Sequence, residues 1–339
     1  MTWNILGHEW AVQLLQQHIV RDEVRHAYLF SGPAGVGRRT LALRFAQALN
    51  CSNPPAPGEP CGTCRTCQQI ERMQHADLSV VQAESEGGVL KVEQVRELQH
   101  TLSLAPYAAR YRVALLIRFQ EANANAQNAL LKMLEEAPPK VILLLTADSP
   151  ESLLPTIPSR CEVLRLRPLT QDRLVALLQE KSGLAAEEAR SLAHLSAGRI
   201  GLALRLHQQP ELLEQRHAWM EDLFSLLRSG RRERFAYVEQ LTRDREKERL
   251  RMALLTWQSF WRDLLVAAAG SQAPLINLDW QEEICRLAGQ IDVQTARACT
   301  AELERALERL EANVNARLLI EVLLLDWPMV RGENENTRA

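Results

Sequence analysis

The sequence predicts an α/β domain built on a parallel sheet, followed by two all-helical regions. Three observations carry this expectation. The apolar run Ala27 to Phe30 enters the Gly-rich stretch GPAGVGRRT (Gly32 to Thr40) and then a helical pattern over Leu41 to Leu49, the strand, turn and helix that open a nucleotide-binding sheet. Further short apolar runs alternate with helical stripes, as parallel strands buried on both faces do. From Thr170 onward the pattern is helical to the end.

In chain order, Ala11, Leu14, Leu15 and Ile19 recur at helical spacing ahead of the first strand. A short helix through Met73 precedes the run Leu78 to Val81, and the polar stretch Glu84 to Gly88 breaks the pattern. Val92, Val95, Leu98 and Leu102 then form a stripe, and Tyr111 to Phe119 reads as a central parallel strand. NALLKMLEEAPPK is a helix with Ala126, Leu130, Met133 and Leu134 on one face, ended by Pro138 and Pro139. Val141 to Leu145 is a buried strand. The proline-broken ESLLPTIPSRC delivers Ser159, Arg160 and Cys161 to a last strand, Val163 to Leu166. Three helical stripes follow, on Leu174 to Leu178, Ala189 to Leu195 and Gly198 to Leu206. Longer helices beyond Pro210 are expected to bury Trp219, Phe224, Phe235, Trp257, Phe260 and Trp261. The break SQAPLINLD leads to a final helix pair, Val293 to Leu310 and Ala316 to Leu325, and a polar tail that reads as frayed.

The Gly-rich stretch has the frame of a phosphate-binding loop, with Gly32, Gly35 and Gly37 at the expected spacing. Such a loop works through a lysine on the phosphates and a hydroxyl on Mg²⁺; here those positions hold Arg38 and Arg39, and Thr40 comes one residue late. A guanidinium cannot ligate a cation. The acid expected at the end of the central strand is also missing, because the chain runs through Ile117 to Arg118 and the first acid is Glu121. Two separate requirements for magnesium-dependent hydrolysis therefore fail, and no intrinsic ATPase is expected. Backbone amides and arginines can still hold phosphates, so the motif permits binding without hydrolysis. An autonomous ATPase using Arg38 and Glu121 in altered roles is the alternative.

The second motif is CSNPPAPGEPCGTCRTC, which places Cys51, Cys61, Cys64 and Cys67 in a C-x9-C-x2-C-x2-C pattern. Two-residue spacers let neighbouring thiolates close on one tetrahedral Zn²⁺, and four thiolates leave no open position, so the site reads as structural zinc. A redox pair and unligated thiols are the competing readings. The chain has 339 residues, 24% charged and 46% hydrophobic, with a formal net charge of -2. That balance argues against a globally basic nucleic-acid binder, and Arg65 and Arg72 alone give the cysteine region little to offer DNA. With no apolar span of membrane length and no signal-type N-terminus, a cytoplasmic protein is expected.

Five stretches, HAYLFSGPAGVG, the four-cysteine cluster, NALLKMLEEAPPK, the SRC tripeptide and NVNARLLIEVLLL, together resemble the AAA+ subunits of the bacterial DNA polymerase III clamp loader, from near residue 5 to about 328. The losses at Arg38, Arg39 and Ile117 are most similar to the member of that family that serves as a non-hydrolysing stator. The resemblance implies an AAA+ P-loop-like domain over 1–167, a three-helix lid over 168–207, a helical collar for oligomerisation over 208–330 and a tail over 331–339. It further implies gamma/tau and delta partners in a five-subunit ring that acts on a sliding clamp and primed DNA. In the family's SRC motif, here Ser159 to Cys161, the arginine enters the ATP site of the adjacent subunit, which makes Arg160 a finger acting in trans. Taken alone, Arg160 would be read as a surface arginine. Arg199 falls at the position similar to sensor 2.

Overall fold

The computed structural model describes residues 3–84, 87–244, 246–311 and 314–330. The expected frayed tail, 331–339, and the middle of the Glu84 to Gly88 break lie outside them. The chain divides into two compact units, Met1–Leu184 with Gly198–Leu202, and Ala185–Ala197 with Ala203–Ala339.

The first unit is a three-layer sandwich. Its elements are α1 (Glu9–Val20), β1 (Ala27–Ser31), α2 (Arg38–Asn50), α3 (Arg65–Glu71), β2 (Leu78–Val81), α4 (Val92–Leu102), β3 (Arg112–Leu116), α5 (Ala124–Glu135), β4 (Val141–Ala147), β5 (Glu162–Arg165) and α6 (Gln171–Ser182). The five strands are all parallel, in the order β2-β3-β4-β1-β5. Side chains alternate across the sheet. Tyr28, Phe30, Leu115 and Leu144 pack against Leu15, Leu41 and Phe45 of α1 and α2, while Leu29, Leu116 and Leu143 pack against Leu98 and Leu130 of α4 and α5. Every residue of β1, β3 and β4 is buried, which accounts for their unbroken apolar runs. The run from Tyr111 to Phe119 yields a shorter strand than its length suggests. Arg118 turns left-handed at φ 51, and Phe119 opens a 3₁₀ turn.

A buried carboxylate shapes the loop ahead of β3. Asp77 accepts the backbone N–H of Tyr107 at 2.7 Å and those of Ala108 and Ala109 at 2.8 Å. Burial alone would raise its pKa, but the three amide bonds outweigh burial and hold it below the ordinary carboxylate value.

The second unit is helical. The final part of α8 (Ile200–Gln208) belongs to it, together with α7 (Ala186–Leu195), α9 (Pro210–Arg228), α10 (Arg231–Leu241), α11 (Lys247–Ala268), α12 (Gln281–Ala288), α13 (Val293–Glu311) and α14 (Ala316–Leu325). Its core holds Trp219, Phe224, Trp257, Phe260 and Trp261 as expected, with Trp327 set edge-on to Trp257 at 5.3 Å. Phe235 is a correction: it is exposed. The inner face of α10 carries Arg234, Val238 and Leu241, and Arg234 occupies the core because its guanidinium donates to the carbonyls of Leu226, Leu324, Trp327 and Pro328. Residue 235, about 100° further round the helix, is left facing solvent. The short α12, which buries Ile284 and Leu287 in the core, was not expected from its periodicity. The break before it is held by Asp263, whose carboxylate accepts the N–H groups of Ile276 and Asn277. Among the described residues no helix is long and apolar enough to cross a membrane.

Asp77→Asn keeps a hydrogen-bond acceptor and loses the charge, so at neutral pH it should cost about 1–3 kcal/mol in denaturant unfolding. A group with a depressed folded pKa stabilises above its unfolded value, about 3.9, and loses that contribution as pH falls through the folded value. The gap between wild type and variant should therefore narrow in acid below about pH 4; a gap that stays constant would mean that the charge is not what holds the loop.

Candidate functional site

The Gly-rich loop leaves the C-terminal end of β1 and is anchored by backbone bonds to its surroundings. Gly32 donates its N–H to the carbonyls of Ala147 and Asp148, at 3.2 and 3.1 Å, and a Cβ on it would lie 2.2 Å from the carbonyl oxygen of Leu166. Gly35 accepts the N–H of Gly201 at 2.8 Å, and Leu202 sits where its side chain would be. The imidazole of His8 donates from Nε2 to the carbonyl of Val36 at 2.9 Å, since a carbonyl only accepts, and burial holds its pKa below the ordinary value. Gly37 precedes α2 in the left-handed region, φ 109.

Arg38, the residue in the lysine position, is buried, and its Nη1 lies 2.7 Å from Oδ1 of Asp148, just beyond β4. The contact is one of charge more than of aligned hydrogen bonding. Arg39 points outward and reaches the sulfur of Met73. Ile117 is buried at the end of β3. Glu121, the alternative base, accepts the Nε–H of Arg118 at 2.8 Å and the N–H of Gly87 at 3.0 Å, which ties the carboxylate to its own turn. Burial lowers the pKa of Arg199 from its ordinary value.

Arg160 lies elsewhere. β5 pairs with β1 in parallel, Tyr28 opposite Glu162 and Ser31 opposite Arg165, so Arg160 stands level with His26 ahead of β1, whereas the loop follows its far end. At ~3.3 Å per residue that separates Arg160 from Gly32 by about 20 Å. It closes the 3₁₀ turn Pro158–Arg160, with its side chain about one-third exposed. Its Nη2 donates to Glu135 at 2.7 Å and its Nη1 to the carbonyl of Thr156 at 2.9 Å. Ser159 donates its hydroxyl to the same carbonyl, and burial pushes the Cys161 thiol up to about 12.

Cys51, Cys61, Cys64 and Cys67 come together, with all four sulfurs within 4.8 Å of one another and Cys51 4.0 Å from Cys64. Four sulfurs at ~2.3 Å from one tetrahedral ion are about 3.8 Å apart, so the cluster fits a metal ion. The N–H of Cys61, Cys64 and Cys67 each donates to a sulfur of the set. That of Cys64 lowers the pKa of Cys61. At Cys64 burial opposes ionisation, but hydrogen bonds from Ser52 and Cys67 bring the thiol down to about 6. Burial drives Cys67 upward. A cation would let the four sulfurs be thiolates together.

The chain has known relatives. Residues 7–170 match a family described as DNA polymerase III, delta subunit, and residues 210–328 match DNA polymerase III, delta subunit, C terminal. DNA polymerase III subunit delta′ of Bacillus subtilis (strain 168) is 31% identical over 320 residues, 93% of this chain and 94% of that protein. The chain belongs to the DNA polymerase III delta′ subunit family. The Pseudomonas aeruginosa delta′ subunit is 38% identical over 224 residues, 65% of this chain and 66% of its own. Within the wider set, the tau subunit of Bacillus subtilis is 33% identical over 177 residues, covering 52% of this chain and 31% of tau. A gamma-subunit-related protein of Thermotoga maritima has the same fold, with TM-score 0.50 at 18% identity over 93% of this chain and 97% of its own.

In this delta′-family chain, Asp148 is the site residue that sequence reasoning missed. Its signal was an acid directly after a buried strand, the edge at which a parallel sheet gathers its ligand loops. Asp148→Ala should destabilise the protein by about 1–2 kcal/mol although its side chain is half exposed, because it strips the buried Arg38 guanidinium of its counter-charge. Denaturant unfolding checks this; an unchanged midpoint would show that Arg38 is held without Asp148.

Proposed function

We propose that this delta′-family chain is the non-hydrolysing stator of a clamp-loader ring. It lends Arg160 to the ATP site of an adjoining subunit while the ring loads a sliding clamp onto primed DNA. Its partners in this reading are gamma/tau and delta subunits in a five-subunit assembly, in the cytoplasm. The observation that carries the reading is the placement of Arg160 about 20 Å from the chain's own loop, at the opposite end of the sheet. An arginine there has no route to a nucleotide on its own loop and can serve only a site that another chain brings to it. The pairing of Arg38 with Asp148 argues the same way, since a phosphate would have to displace that carboxylate from the guanidinium.

The division of labour follows residues 1–167 as the AAA+ domain, 168–207 as the lid and 208–330 as the collar. Leu318, Val322 and Leu325 leave an apolar stripe exposed on α14, the kind of surface that assembly covers. The cysteine cluster is proposed as structural zinc: with four thiolates no coordination position stays open for water or substrate. Trp3 donates its indole N–H to Gly58, and Gln47 donates to the carbonyl of Cys67. These bonds fix the knob to the sandwich, so metal binding there stabilises the first unit.

Arg160→Ala should leave unfolding and incorporation into the assembly nearly unchanged. It should cut clamp- and DNA-stimulated ATP turnover at the neighbouring site by ~10³-fold or more. Arg160→Lys should recover little, because a point charge lacks the planar fork. Full turnover with the alanine variant fully incorporated would reduce Arg160 to a surface residue. Metal analysis of the purified chain should find about one zinc per molecule, and Cys64→Ser should lose it while loosening residues near 51–67. A metal-free native protein under reducing conditions would refute the zinc assignment.

A further inference from the structure

The helix NALLKMLEEAPPK carries two acids at its C-terminal end, Glu135 and Glu136, where the helix macrodipole disfavours negative charge. A residue that works against its own helix points to a partner outside it. For Glu135 that partner is Arg160, at 2.7 Å. The end of α5 is fixed by the ring of His26, 2.9 Å from the carbonyl of Leu134 and itself just ahead of β1. The approach to Arg160 is fixed as well. Gln127 of α5 accepts the N–H of Leu154 at 2.8 Å, and Leu153 and Ile157 are buried in the core that α5 shares. The two groups therefore stand on one rigid platform.

We infer that Glu135 is a positioning residue for Arg160: with the carbonyl of Thr156 it holds the guanidinium in one plane and one direction, ready for phosphate oxygens. This rests on the trans-acting role proposed above. Glu135 and Thr156 each take one N–H, on different terminal nitrogens. A longer contact runs from the same Nη1 to the Ser159 hydroxyl, at 3.5 Å, so of the five donors of a guanidinium two are left unengaged for an incoming anion. Without Glu135 the terminal Nη2 loses its anchor, and the long side chain regains rotamers that do not face the neighbour. Misplacement by about 1 Å is enough to cost up to ~10²-fold in rate.

The test uses the assembled complex with its clamp and primed DNA, and measures stimulated ATP turnover against ATP concentration. Glu135→Ala should lower kcat about tenfold or more at little-changed KM for ATP. Glu135→Gln, which keeps an acceptor oxygen, should recover most of the loss. In an Arg160→Ala background Glu135→Ala should have no further effect. The unfolding midpoint should move by no more than about 4 °C, as for an exposed ion pair. Wild-type or increased turnover in Glu135→Ala would overturn the inference, the second outcome making Glu135 a brake on the arginine. A loss that persists in the Arg160→Ala background would also overturn it, as a structural effect. If Arg160→Ala alone changes nothing, the trans-acting reading itself has failed, and that single arm identifies which of the two is at fault.

Discussion

The constraint on which the rest of the molecule depends is the parallel pairing of β1 with β4 on one side and β5 on the other. Parallel strands gather every strand-to-helix turn at one edge and every helix-to-strand turn at the other. The Gly-rich loop and Asp148 are of the first kind. Glu135 and Arg160 are of the second, because α5 runs back to the starting edge and the 3₁₀ turn at Pro158–Arg160 ends there. The backbone of a single chain thus holds the Gly-rich loop and Arg160 at opposite edges of one sheet.

At the loop edge, the departure at the lysine position has a physical counterpart in what fills the space. A lysine would extend its ammonium toward a ligand; Arg38 instead lies buried against a carboxylate of the same sheet edge. The N–H of Gly32 is bonded to the carbonyls of Ala147 and Asp148, and the carbonyl of Gly35 takes the N–H of Gly201. Gly32 is required by packing, since a Cβ on it would run into the backbone of Leu166.

The cysteine knob obeys a different economy. Its spacer is rich in Pro and Gly, buries little, and hangs on Trp3, Gln47 and the sulfur cluster. The ion pair of Arg44 with Glu71, at 2.6 Å, ties α3 back to α2. A segment with so small an apolar core is one that a metal ion on its four sulfurs would stabilise in place of burial.

What the sequence determined by itself were the features with a strong local signal. Unbroken apolar runs gave strands buried on both faces, glycine spacing gave the loop, and close-spaced cysteines gave a cluster. The missing lysine, hydroxyl and acid could be read as residues that were simply not there. Tertiary structure decided everything that needs two distant stretches to meet. It brought Asp148 to Arg38 and Glu135 to Arg160, because neither acid announces a partner through spacing along the chain. It also set Arg234 into the core and turned Phe235 out, against composition, since the carbonyls that bind the guanidinium come from α9 and from the end of α14, some 90 residues further on. Hydrophobic periodicity records which face of an element is buried; it holds no record of which charges share that burial, and those charges are what give this chain its two edges.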